Sequence, residues 1–124
     1  MKVAVVGSRY YDNLSLVGQV IRSLAIPLPI TQLISGGARG VDSVAEETAK
    51  IIGIPTLIVY PDWEKEGKRA GILRNTVIVD RADMLIAFWD GQSRGTKDSI
   101  NKAKLAGKWV MVYSPSGVEH FNQK

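Results

Sequence analysis

The chain has 124 residues, 45% of them hydrophobic, and a formal net charge of +4. That length supports one domain, residues 1–124, able to bury about 65% of its unfolded surface without staples. It has no cysteine and a single histidine, His120. Disulfides and thiolate metal sites are thereby excluded, and the single histidine argues against histidine metal centres and a serine-histidine triad. No apolar run approaches the ~20 residues of a membrane span. The short apolar stretch at the N-terminus continues as a strand rather than forming a signal peptide. A soluble, cytoplasmic chain with no metal, no obligatory cofactor and no membrane partner is expected. The basic balance suits a phosphorylated or polyanionic partner, with clusters at Lys65, Lys68, Arg69 and Arg74 and at Arg94, Lys97, Lys102, Lys104 and Lys108. No helix-turn-helix or zinc-finger pattern is visible, which argues against duplex DNA as that partner.

Lys2 to Val6 is a β-branched run without alternation, the signature of a central strand buried on both faces. Asp12 or Asn13 can cap the next helix, whose Leu14, Val17, Ile21 and Leu24 fall on one stripe before Pro27 and Pro29. Thr31 to Ser35 reads as the second strand. A helix from Val41 follows, with Val44, Ala45, Thr48, Ala49 and Ile52 at helical spacing and Gly53 as its stop. Thr56 to Tyr60 reads as a third buried strand, and Pro61 to Arg69 as a polar loop holding Trp63. A helix over 70–81, a strand from Met84 to Trp89, and a glycine-bearing turn from Asp90 come next. Thr96 can cap a helix reaching Ala106, Lys108 to Tyr113 is the fifth strand, and residues 114–124 form a loosely held tail.

Alternating strands and helices imply an α/β fold with a parallel sheet and right-handed crossovers. Doubly wound order would be 3-2-1-4-5, with helices on both faces and a ligand crevice at the carboxyl ends of the strands. Three glycine-bearing corners fall at those ends: Gly7-Ser8-Arg9, Ser35-Gly36-Gly37, and Asp90 to Thr96. Gly7, Gly36, Gly37 and Gly95 would let backbone N–H groups approach an anion, helped by the helix N-terminus after Gly40. Ser8, Ser35, Ser93 and Thr96 can add hydroxyl donors, or serve only as caps and turn formers. Arg9 and Arg74, and less directly Arg39, can pair with phosphate. Asp42 and Glu46 share a helix face and can accept ribose hydroxyls or act as a base, though dipole compensation alone explains Asp42. Asp90 stands at a strand end. Trp63 and Trp89 either stack on a base or pack.

These blocks together resemble the YspA-like, cpYpsA-related branch of the SLOG superfamily. The residues that carry the likeness are Val-Ala-Val-Val-Gly-Ser-Arg, Ile-Ser-Gly-Gly-Ala-Arg-Gly-Val-Asp-Ser-Val-Ala-Glu, Pro-Asp-Trp, Arg74-Asn75, Ala82-Asp83 and Gly95-Thr96. Such members are small Rossmann-like domains similar to the LOG phosphoribohydrolases and to the Rossmann domain of DprA. The resemblance implies a Rossmann-like three-layer sandwich with a pocket for a nucleotide-derived ligand, in which Gly95-Thr96 and Arg74 hold phosphate. Ser99 stands where the LOG enzymes carry a catalytic glutamate, Asn75 replaces a lysine, and Asp98 is the nearest carboxylate. The leading expectation is a domain that binds, senses or sequesters a small phosphorylated nucleotide-like ligand. One alternative is hydrolysis of an N-glycosidic bond, with Asp42, Glu46 or Asp98 as acid or base. Another is single-stranded nucleic-acid binding, suggested by the charge, Trp63 and the DprA likeness. A homodimer is the default assembly.

Overall fold

The computed structural model describes residues 1–117 and 119–122, the last four as backbone. The β-branched opening run forms β1 (Lys2–Gly7), and Val3 to Val6 are buried. Then come α1 (Leu14–Ala25), β2 (Gln32–Ser35), α2 (Val41–Ile52) and β3 (Thr56–Ile58). A one-turn α3 (Trp63–Glu66) runs through a 3-10 turn into α4 (Ala70–Arg81). β4 (Met84–Phe88), α5 (Arg94–Leu105), β5 (Trp109–Tyr113) and β6 (Glu119–Asn122) complete the chain.

The sheet has the order β3-β2-β1-β4-β5-β6. Its first five strands are parallel, in the doubly wound arrangement the sequence implies. Alternate residues of each strand point to opposite faces. Val3, Val5, Leu33, Ile86 and Phe88 therefore meet the apolar stripes of α1 and α2 on one side. Ala4, Val6, Ile34, Leu85 and Ala87 meet α4 and α5 on the other. Every residue of β4 is buried, as a strand covered by helices on both faces must be. At the carboxyl end of β4, Phe88 stacks on Tyr113 with ring centroids 5.4 Å apart and takes the edge of Tyr11 at 5.6 Å.

Four local features differ from the sequence reading. β3 stops at Ile58, and it is an edge strand, so Thr56 is exposed and Leu57 and Ile58 only half-buried. The polar stretch 61–69 is helical from Trp63 onward, because the Asp62 carboxylate accepts from the Lys65 N–H at 3.1 Å and caps α3. α5 is capped by Ser93 rather than Thr96: the Ser93 hydroxyl accepts from the Thr96 N–H, which places Thr96 inside the first turn. Finally, part of the expected tail pairs antiparallel with β5 as β6. Ahead of it, the carbonyls of Ser114 and Pro115 accept from the Tyr11 hydroxyl (2.6 Å) and the Asn13 amide (3.0 Å).

Candidate functional site

Helices α2 and α5 begin just past the carboxyl ends of β2 and β4, on opposite faces of the sheet. Their first N–H groups have no intrahelical acceptors and carry the positive end of each dipole. Between them lies a cleft of about 460 Å³. It is lined from β1 by Val6 and Gly7, from the following turn by Arg9 and Tyr10, and from the β2 corner by Gly36 and Ala38. α2 contributes Asp42, α4 contributes Arg74, Asn75 and Ile78, and the β4 corner with α5 supplies Asp90, Gln92, Ser93, Gly95, Thr96 and Ser99. The three glycine-bearing corners thus open onto one hollow.

The glycines have different local reasons. A Cβ on Gly7 would overlap the Val41 side chain, so Gly7 is what lets α2 start against β1. A Cβ on Gly36 would lie 2.5 Å from Arg74 Nη1 and 3.1 Å from Asp42 Oδ2. Gly36 therefore makes room for the cation and the carboxylate to flank the same corner. Arg74 Nη1 donates to the Gly36 carbonyl at 2.7 Å and Nε to Asn75 Oδ1 at 3.1 Å, fixing the guanidinium from two sides. Asn75 Nδ2 donates to the Gly95 carbonyl and to Asp98 Oδ2, both at 3.3 Å, tying α4 to the first turn of α5.

Asp42 is only 6% exposed, and its Oδ2 accepts from the Ala38 N–H at 3.1 Å. Burial pushes its carboxyl up to about 6, and the Glu46 charge adds to the rise. The N–H groups of Ala38 and Gly36 and the charge of Arg74 oppose it without cancelling it. Burial lowers Arg74 in turn, with Asp42 countering, and a guanidinium remains charged regardless. Asp90 behaves oppositely. Its Oδ1 accepts from the Ser93 and Gln92 N–H groups, each at 2.8 Å, and these bonds hold it below the ordinary carboxylate range.

Four of the expected ligand residues do not line the cleft. The Ser8 hydroxyl is buried and accepts from the Asp90 N–H at 3.1 Å, joining two corners from beneath. Ser35 is buried and donates to Glu46 Oε2 at 2.6 Å. Gly37, at φ +72°, has Tyr60 and Ile58 where a side chain would go. Arg39 is exposed away from the lining. Of the expected acid–base carboxylates, Asp42 alone faces the cleft. Glu46 lines a second depression beside β3. Asp98 is engaged by Lys102 at 2.8 Å and by Asn75. Trp89 donates its indole N–H to the Ser93 carbonyl at 3.0 Å and packs against the core, while Trp63 stays 60% exposed on α3.

Tyr10, Ala38, Gln92 and Ile78 also line the cleft although the sequence pattern does not mark them, and Asn75 and Ser99 stand out in the sequence only as departures from the LOG pattern. Ser99 lies one turn beyond Gly95 and Thr96 and Ile78 one turn beyond Arg74, so helical spacing could have found both. Tyr10 and Gln92 sit in turns, where spacing carries no such signal. Among the described residues no cluster of histidine, cysteine or acidic side chains could hold a metal ion. No helix there is long and apolar enough to cross a membrane.

Residues 1–65, which carry the first two corners and α2, match the family described as YspA, cpYpsA-related SLOG (YAcAr). The chain belongs to that family. It is 34% identical over 113 residues to Gene 61 protein of Mycobacterium phage D29, covering 86% of this chain and 90% of that one. Its fold is shared with DprA from Streptococcus pneumoniae at a TM-score of 0.74 and 24% identity, across 90% of this chain and 49% of that one. DprA from Helicobacter pylori, described for its single-stranded DNA binding mode, aligns at 0.71 and 23% over 90% and 64%. The structural-genomics target TM1055 aligns at 0.70 and 23%, covering 88% and 71%. The SLOG chain thus spans about half the length of the S. pneumoniae DprA.

Proposed function

We propose that the cleft binds a nucleotide or nucleotide-derived phosphorylated ligand, with the phosphate between Arg74 and the first turn of α5. The observation that carries this reading is the convergence of one tethered guanidinium, the start of α5 and the Ser93 and Thr96 hydroxyls on one hollow at the strand ends. Each is a donor or positive pole suited to a phosphate. Asp42, inside the same hollow, has an oxygen to offer ribose hydroxyls. Thermal shift across nucleoside monophosphates, NAD and ribose 5-phosphate tests the reading. A ligand at a hundred times its dissociation constant adds about 2.7 kcal/mol, a rise of several degrees. No shift with any phosphorylated compound at millimolar concentration would refute it. Extraction of copurifying material and mass spectrometry would identify the natural ligand.

Hydrolysis of an N-glycosidic bond is a second reading, favoured by one observation. Asp42 faces the cleft with a carboxyl at about 6, near neutrality, where a general acid or base works best. Release of free base from a nucleoside monophosphate, lost in Asp42→Asn, would establish it; intact substrate after prolonged incubation would remove it. Single-stranded nucleic acid is a further candidate partner through the fold shared with the H. pylori DprA. A steep fall in oligonucleotide affinity with salt is its signature.

A further inference from the structure

Residues Ser8 to Tyr11 form a tight turn closed by the Tyr11 N–H on the Ser8 carbonyl at 3.1 Å. Both ends are buried and pinned. Ser8 donates its N–H to the Phe88 carbonyl at 2.9 Å and accepts on its hydroxyl from Asp90. Tyr11 is 3% exposed, sits edge-on to Phe88, and holds the Ser114 carbonyl through its hydroxyl. Two side chains are projected from this fixed turn into the lining of the cleft, Arg9 and Tyr10. Tyr10 is 84% exposed, the most open aromatic side chain in the described residues. Adjacent tyrosines thus have opposite fates: Tyr11 anchors the turn in the core, and Tyr10 is left almost wholly solvated at the cleft mouth.

An aromatic ring carried on a rigid backbone loses little conformational freedom when a planar partner stacks on it. We infer that Tyr10 is the stacking surface for the base of a nucleoside monophosphate whose phosphate lies in the cleft. The inference rests on the nucleotide reading of that cleft and adds a separate prediction to it. The cradle at Arg74 and Thr96 recognises the phosphate end, and Tyr10 recognises the base end. Stacking is tolerant of base identity because every base has a π-face, so selectivity at this position is for the presence of a base.

The test compares the dissociation constants of AMP, GMP, CMP and UMP with that of ribose 5-phosphate, by calorimetry, in the native chain, Tyr10→Ala and Tyr10→Trp. Loss of a base-stacking contact weakens binding about five-fold to 150-fold. Tyr10→Ala should lose that factor for the monophosphates that bind, while ribose 5-phosphate changes less than two-fold. Tyr10→Trp should keep or improve the monophosphates. Equal loss for both ligand classes, or no loss for either, overturns the role of Tyr10 and leaves the cleft reading standing. Failure of the native chain to bind any of the four monophosphates overturns the role of Tyr10, and failure with NAD and ribose 5-phosphate as well overturns the cleft reading too. Tyr10 is solvent-exposed, so its substitutions leave the core intact, and an unchanged far-ultraviolet spectrum verifies this.

Discussion

Asp42→Asn should stabilise the protein at neutral pH and do so less and less as the pH falls. In the folded chain the carboxyl is raised from 3.8 to about 6. Between those values the native state keeps a proton that the unfolded chain has released. Stability contributed by the protonated form is therefore complete below the unfolded value and is lost as pH rises through the folded one. A displacement of about two pH units corresponds to roughly 3 kcal/mol. Asp42 is almost fully buried, so little of this is screened by solvent. The amide is the neutral isostere: its oxygen still accepts from the Ala38 N–H, and it never ionises. For a domain of this size, on the order of 3 kcal/mol is about 10 °C in midpoint. Thermal unfolding followed by circular dichroism at pH 7.5 and pH 4 measures it. A gain near 10 °C at pH 7.5 that shrinks to a small difference at pH 4 is expected. The same shift at both pH values, or a loss at pH 7.5, would refute the account, because Asp42 would then be held by its partners and not opposed by its burial. A buried carboxylate that costs stability at neutral pH is the pattern of a group kept for function.

Arg74→Ala should weaken a bound nucleoside monophosphate by about 1.5–3 kcal/mol, the worth of hydrogen bonds to a charged group, as read by calorimetry; an unchanged affinity would place Arg74 outside the binding contacts. Thr96→Arg fills the hollow at the start of α5 and should abolish nucleotide binding with the circular dichroism spectrum unchanged, and retained binding would remove that turn from the site. Gly7→Ala forces a methyl into Val41 and should lower stability by about 1–3 kcal/mol in chemical denaturation; a neutral result would mean that α2 can slide along β1 without cost.

The parallel core was legible because its signals are local and redundant. The β-branched run of β1, the continuous apolar run of β4 and the apolar stripes of α1 and α2 each specify their element without knowledge of the others. β3 was read as buried because its composition matches a central strand, but only pairing decides which strand has no outer neighbour. β6 was missed for the opposite reason: Glu119 to Asn122 has little strand character of its own and is recruited by the open edge of β5. At the site, the corners could be placed together from topology alone. The orientation of their side chains could not. Ser8 and Ser35 have the right chemistry for a phosphate, yet each is buried and bonded elsewhere, to Asp90 and to Glu46. Tyr10 and Tyr11 are neighbours of one residue type, and nothing in their order says which one turns inward.

The two carboxylates that line the cleft are driven apart by their surroundings. Asp90 is held ionised by the Ser93 and Gln92 N–H groups, whereas Asp42 is brought near neutrality by burial. Opposed environments of this kind separate acid–base roles, and of the two Asp42 is the one whose carboxyl lies near neutral pH. The positions that the LOG pattern would give to a lysine and a glutamate are used otherwise. Asn75 spends its amide on Gly95 and Asp98, and the Ser99 hydroxyl donates to the Gly95 carbonyl at 3.4 Å. Asn75 therefore stiffens the junction of α4 and α5, and Ser99 bonds within α5; neither presents charge to a reacting bond. A rigid junction keeps Arg74 and the start of α5 at fixed separation, which is what the proposed phosphate contact requires. Cleavage would additionally require Asp42 to reach the glycosidic bond from the α2 side of the hollow. Binding is consequently the lesser demand on this geometry, and Asp42→Asn separates the two: a variant that still binds a monophosphate but no longer releases base would assign catalysis to that one carboxyl.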